Sequence, residues 1–137
     1  MASLALNDAF VSLAGTDISA FVESVDLDYQ VETDDDAAMG DDTAIVAATR
    51  ENWSVSITAK QDYGASQLDS VLWAAASGKV AVALIVRPTS GAVSTSNPEF
   101  TGNVILTNYK PIAGSHGSLA RTPIALAPAS DLARATS

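Results

Sequence analysis

From Val25 the chain alternates, with Val25, Leu27, Tyr29 and Val31 on one face of an extended segment and Asp26, Asp28, Gln30 and Glu32 on the other. A period of two marks a half-buried strand, here with an acidic outer face. The same period returns more strongly at residues 52 to 61, where Trp53, Val55, Ile57 and Ala59 alternate with Ser54, Ser56, Thr58 and Lys60. β-branched and aromatic residues dominate there, so this strand must bury its apolar face. Shorter extended runs are expected over Ala9 to Leu13, Lys79 to Arg87 (ended by Pro88), Phe100 to Tyr109 and Leu119 to Leu126. Asp17-Ile18-Ser19 reads as a turn after Gly15. Pro123 inside the last run cannot donate to a ladder, which predicts a sheet edge or a bulge.

After Gly64 the period changes. Leu68, Val71, Leu72 and Ala75 share one stripe, Ser66 and Asp69 have the spacing of a capping box, and Gly78 supplies a stop, so a helix is expected over 65–77. Residues 33–50 hold no period and carry Asp34, Asp35, Asp36, Asp41 and Asp42 close together, which reads as a long loop or arm. Irregular segments of that length inside a compact domain reach something or order on contact. Five or six strands around one short helix make an α+β fold, mainly β, dominated by an antiparallel sheet or barrel.

Composition adds a constraint. The 137 residues fit one domain, and 47% are hydrophobic, enough to fold, though much of that share is alanine, which buries little area. Partner subunits are one way to supply the remainder. The net charge of −9 is uneven: residues 1 to 62 hold thirteen acids and two bases, residues 63 to 137 three acids and five bases. An acidic surface repels phosphate and argues against nucleic-acid affinity through counterion release. Halves of opposite sign suit head-to-tail contact between copies, or simply keep a monomer soluble. The absence of cysteine removes disulfides, thiolate catalysis and cysteine zinc sites, and fits a reducing compartment. Met1 to Asp8 lacks a basic region and an apolar run for a signal peptide, and the seven-residue stretch Val80 to Val86 is far short of the roughly 20 residues that span a bilayer, so no membrane partner is expected.

Candidate chemistry is sparse. His116, the one histidine, sits in Gly114-Ser115-His116-Gly117-Ser118 without a nucleophile elbow, in a turn too loose to position a general base. The acidic run fails as an EF-hand, because counting from Asp34 puts Met39 where glycine belongs and Ile45 where the bidentate glutamate belongs. Gly78-Lys79 is not a phosphate loop, since Trp73 and Val80 occupy the flanking signature positions. Trp53, Trp73, Tyr63 and Phe100 read as core or interface anchors rather than a base-stacking platform. No catalytic, cofactor-binding or metal-ligating residues are expected.

The order of these features resembles bacteriophage tail tube (major tail) proteins. The likeness runs through the arm Asp35-Asp36-Ala37-Ala38-Met39-Gly40-Asp41, the strand Trp53-Ser54-Val55-Ser56-Ile57 and Gln61-Asp62-Tyr63 before the helix. It continues through Arg87-Pro88-Thr89, Asn97-Pro98-Glu99-Phe100-Thr101-Gly102 and Pro111-Ile112-Ala113-Gly114-Ser115, about residues 8 to 136 in all. The resemblance implies an antiparallel β-sandwich or half-barrel with one short flanking helix and a long arm. It implies homo-oligomeric rings, commonly six-membered, whose joined sheets enclose a lumen for DNA as passing cargo. Those rings stack into a virion tail beside other tail proteins, after synthesis in the host cytoplasm. On that reading residues 33–50 meet the adjacent ring, with Asp34, Asp35, Asp36, Met39, Asp41, Asp42 and Arg50 as the contact residues. Asp26, Asp28, Gln30 and Glu32 would face the lumen, or else meet bases such as Lys60, Arg87 or Arg121 of a neighbour. Competing expectations are a capsid decoration or head-tail joining protein, and a carbohydrate-binding or adhesin-like β module.

Overall fold

The computed structural model describes residues 9–40, 42–43, 45–64 and 67–137. Among them the chain forms strands β1 (Phe10–Leu13), β2 (Thr16–Asp17), β3 (Val22–Asp35) and β4 (Val46–Lys60), helix α1 (Leu68–Gly78), then β5 (Val82–Arg87), β6 (Glu99–Tyr109), β7 (Arg121–Pro128) and β8 (Ala133–Ala135). The strands make one antiparallel sheet in the order β2-β1-β5-β6-β7-β4-β3, with β8 added to β6. This is the mainly β, α+β architecture expected, with eight strands rather than five or six, because β2 and β8 are too short to show a period.

The alternation in β4 is realised fully: Trp53, Val55, Ile57 and Ala59 are all buried. They meet Val11 and Leu13 of β1, Leu84 of β5, Val104 of β6 and Ile124 and Leu126 of β7 in a single core. Since β4 and β5 stand apart in the sheet order, the chain joining them crosses over the sheet, and α1 fills that crossing by packing on β6. Leu68 and Leu72 of its stripe are fully buried. The helix boundaries follow different rules from those the sequence suggested. Gln67 is the N-cap without a side-chain cap, and Asp69 instead accepts a hydrogen bond from the Tyr109 hydroxyl, so it is not committed to a capping box. Ser66, the other half of that box, and the expected start at 65 lie outside the described residues. Gly78 is the last helical residue, and Lys79 (φ 56°) takes the left-handed cap that glycine usually supplies.

Two further expectations are corrected. Residues 33–50 are not one long loop: β3 continues to Asp35 and β4 resumes at Val46, which leaves 36–45 as the connection. The acidic residues tolerate a ladder because they face neutral partners, Asp34 opposite Ala47 and Asp35 opposite Val46, so no like charges oppose each other. Pro123 is not at a sheet edge either, since β7 lies between β4 and β6. It pairs with Thr58, while the β6 ladder ends one rung earlier at Tyr109–Ile124. An interior strand admits proline there because a neighbour has run out on one side.

Candidate functional site

A projecting two-stranded ribbon and the opposite end of the sheet form the candidate site. β7 accompanies β4 only from Val55 onward, so the stretch Val46–Ser54 is flanked by β3 alone. Trp53 is still buried in the core, so the free ribbon starts at the Gln30–Asn52 pair, and Gln30 to Asp35 span about 20 Å at about 3.3 Å per residue. Thr49 is an extra residue between the Glu32–Arg50 and Thr33–Ala48 pairs, a bulge whose hydroxyl donates to the Glu32 carbonyl at 3.0 Å. Beyond Asp35, the Asp36 N–H donates to the Ile45 carbonyl at 2.8 Å and closes the connecting loop.

The proposed arm residues occupy this ribbon in distinct ways. Asp34 and Asp35 lie on opposite faces of β3, and their carboxylates accept the backbone N–H groups of Asp35 (2.9 Å) and Ala37 (3.0 Å). Local acceptance of this kind shapes the turn. Asp36, Met39 and Asp42 are exposed at the tip, Met39 completely so. Asp41 lies outside the described residues. Arg50 points to its cross-strand partner and forms an ion pair with Glu32, so it holds the ribbon together as well as standing on its surface. Solvent screens an exposed pair of this type, so it adds little to stability and serves to fix the register.

Asp26, Asp28, Gln30 and Glu32 do share one face, opposite Ser56, Ser54, Asn52 and Arg50. Gln30 donates to Asp28 at 2.9 Å and Glu32 is paired, leaving Asp26 and Asp28 as the carboxylates without a base among the described residues. On the other face, Val25 and Leu27 pack on the core, but Tyr29 and Val31 are about half exposed. Periodicity placed all four together and was silent on where cover ends. The Tyr29 hydroxyl donates to Glu51 at 2.5 Å, a bond that raises its pKa above the ordinary phenol value.

Under the ribbon an apolar groove of about 570 Å³ opens, lined by Val25, Leu27 and Tyr29 on one side and Val86, Phe100 and Leu132 on the other. The first strand of the contact, β3, ends the sheet order, so a groove shared with β5 and β6 means that the sheet curls back on itself as a half-barrel. Arg87 also lines it, paired with Glu99 at 2.8 Å and stacked 4.1 Å over the Phe10 ring. Leu132 and Arg134 were missed from the sequence, because a three-residue strand after Pro128 carries no readable pattern.

The outer edge of β3, 14 residues long, ends the sheet and pairs with no other strand among the described residues, and the far end is the two-residue β2. An edge of that length is a template for another strand.

No protein-family model matches this sequence, and no curated protein does. Solved structures do. A chain of the native gene transfer agent virion is 17% identical, with a TM-score of 0.78 over 97% of this chain and 99% of the other. A chain from the tail of an empty gene transfer agent particle, refined with C6 symmetry, is 15% identical at a TM-score of 0.71, covering 93% of each. The SPP1 tail tube subunit is 8% identical at a TM-score of 0.79, over 98% of this chain and 80% of that one. The fold is therefore that of a tail tube subunit. The expectation drawn from residue order, a β-sandwich or half-barrel with a flanking helix, is the fold observed.

Proposed function

We propose that this protein is the structural subunit of a bacteriophage-type tail tube: copies close into rings, rings stack head to tail, and the tube conducts DNA without a chemical step. The observation that carries the reading is the fold likeness to the SPP1 tail tube subunit along nearly the whole chain. The long unpaired edge of β3 supports it, since pairing that edge with a neighbour's sheet removes the aggregation hazard of an open sheet. So does the ribbon, whose tip carries Asp34, Asp35, Asp36, Met39 and Asp42 away from the supported part of the sheet toward an adjacent ring. The partners are further copies, six to a ring, together with other tail proteins. DNA is cargo, and the place of action is the virion tail. Asp26, Asp28, Gln30 and Glu32 line the lumen, where like charge keeps phosphates from adhering.

Negative-stain electron microscopy of the purified protein, concentrated at moderate salt, tests the assignment beside a variant whose residues 36–45 are replaced by an Asn-Gly turn. Hollow tubes from the intact chain and single rings or monomers from the variant are expected. Monomers from both at every salt concentration would overturn the reading in favour of a capsid decoration or head-tail joining protein that assembles only on a virion.

A further inference from the structure

Strand directions divide the molecule into two ends. β3, β5 and β7 run toward the ribbon tip and β4 and β6 run away from it. The chain therefore leaves β4 and β6, and enters β5 and β7, at the end opposite the tip. All three lysines of the sequence stand there: Lys60 closes β4, Lys79 caps α1 just before β5, and Lys110 follows β6. Each is exposed, and none has an ion pair among the described residues.

Of the acids at that end, one is neutralised by an ion pair and three accept from uncharged donors, which leaves their charge in place. Glu23 pairs with Arg121 at 2.6 Å, Asp69 accepts from Tyr109, Asp62 accepts the Gly64 N–H at 2.9 Å, and Asp17 accepts from Ser19 at 2.5 Å. Apolar side chains are uncovered in the segments at the same end: Tyr63, Val80, Ile112 and Leu119 are 56 to 87% exposed. Tyr63 and Gln61 both donate to the Pro111 carbonyl, which ties the loops after β4 and β6 into one surface.

The ribbon tip is the complement. Asp34, Asp35, Asp36 and Asp42 have no ion pair with a described residue, and Met39, Ile45 and Val46 are exposed among them. The 14 residues of β3 separate the two ends by about 46 Å, well beyond the Debye length of about 8 Å at physiological salt, so one copy's poles do not neutralise each other.

We infer that the surface of Lys60, Lys79, Lys110, Ile112 and Leu119 is the docking face for the ribbon tip of a second copy. Met39 enters among Ile112 and Leu119, and Asp36 and Asp42 approach the lysines. The inference rests on the tail tube reading and names the receiving half of its stacking contact. Charge favours this polarity, since tip against tip sets like charges together, whereas tip against base brings the unpaired aspartates to lysines without an ion pair among the described residues.

The chain has no cysteine, so a Met39→Cys/Ile112→Cys pair reports the contact cleanly. Mild oxidation of its tubes is expected to give a ladder of covalent multimers, while either single variant stops at dimers. Independently, Lys60→Glu/Lys110→Glu is expected to keep its circular dichroism and assemble no further than rings, and adding Asp36→Lys/Asp42→Lys is expected to restore tubes. Tubes that form without the ladder, and that survive the lysine reversal, would overturn this docking face and leave the tail tube function standing. Absence of tubes from the parent chain at every salt concentration overturns both.

Discussion

Gly102 of β6 leaves open the space that the Trp53 indole occupies: a Cβ at position 102 would fall 2.7 Å from both Cη2 and Cζ2 of the ring. Trp53 is 2% exposed, and its Nε1 donates to the Ser130 carbonyl at 3.0 Å, so the ring is held from two sides and cannot yield. Gly102→Ala is expected to destabilise the fold by about 1–3 kcal/mol, the usual cost of overpacking. Urea denaturation at concentrations too low for assembly measures this. An unchanged midpoint would show that the indole has freedom to move.

Asn97 clasps the loop between β5 and β6. Its Nδ2 donates to the carbonyls of Gly91 (3.0 Å) and Ala92 (3.1 Å), and its Oδ1 accepts the Thr89 N–H at 3.1 Å, all with the residue 7% exposed. Asn97→Ala leaves those groups without partners and is expected to cost about 1–3 kcal/mol. Hydrogen exchange should accelerate at Thr89 while the amides of β4 stay protected. Equal acceleration everywhere would mean that the clasp is part of global stability instead.

Tyr109 bridges β6 and α1. Burial first, and then the hydrogen bond its hydroxyl donates to Asp69, pushes its phenol from 10.0 up to about 12. The folded value lies above the unfolded one, so the stability this group contributes is complete below about pH 10 and is lost as the pH rises toward about 12. The urea midpoint is expected to fall across that window, and Tyr109→Phe to make the fall shallower while lowering stability by about 1 kcal/mol at neutral pH. A fall of the same steepness in the variant would assign the transition to other groups.

The polar face of β3 carries an assembly prediction. If Asp26 and Asp28 line the lumen, tubes of the parent chain should not retain DNA. Those of Asp26→Lys/Asp28→Lys should retain it in a manner that weakens with salt. Co-sedimentation of assembled tubes with DNA reads the difference. A tube map with these carboxylates on the outer surface sinks the lumen assignment.

The sequence by itself determined the elements whose side chains report their own burial. Trp53, Val55, Ile57 and Ala59 alternate because one face of β4 meets the core, and Leu68 and Leu72 recur at helical spacing because one stripe of α1 does. Such periods are local consequences of one-sided burial and survive in a single sequence. The order of acidic segment, arm, strong strand and helix also carried the likeness to tail tube proteins. What only the tertiary structure decided depends on neighbours distant in sequence. Residues 33–35 and 46–50 pair because Asp34 and Asp35 meet alanine and valine across the ribbon, a register no local pattern states. Pro123 sits inside the sheet because β6 happens to end beside it. Lys60, Lys79 and Lys110, far apart in the chain, stand at one end because antiparallel pairing sends β4 and β6 away from the tip and starts β5 beside their ends, where the next acidic ribbon would arrive.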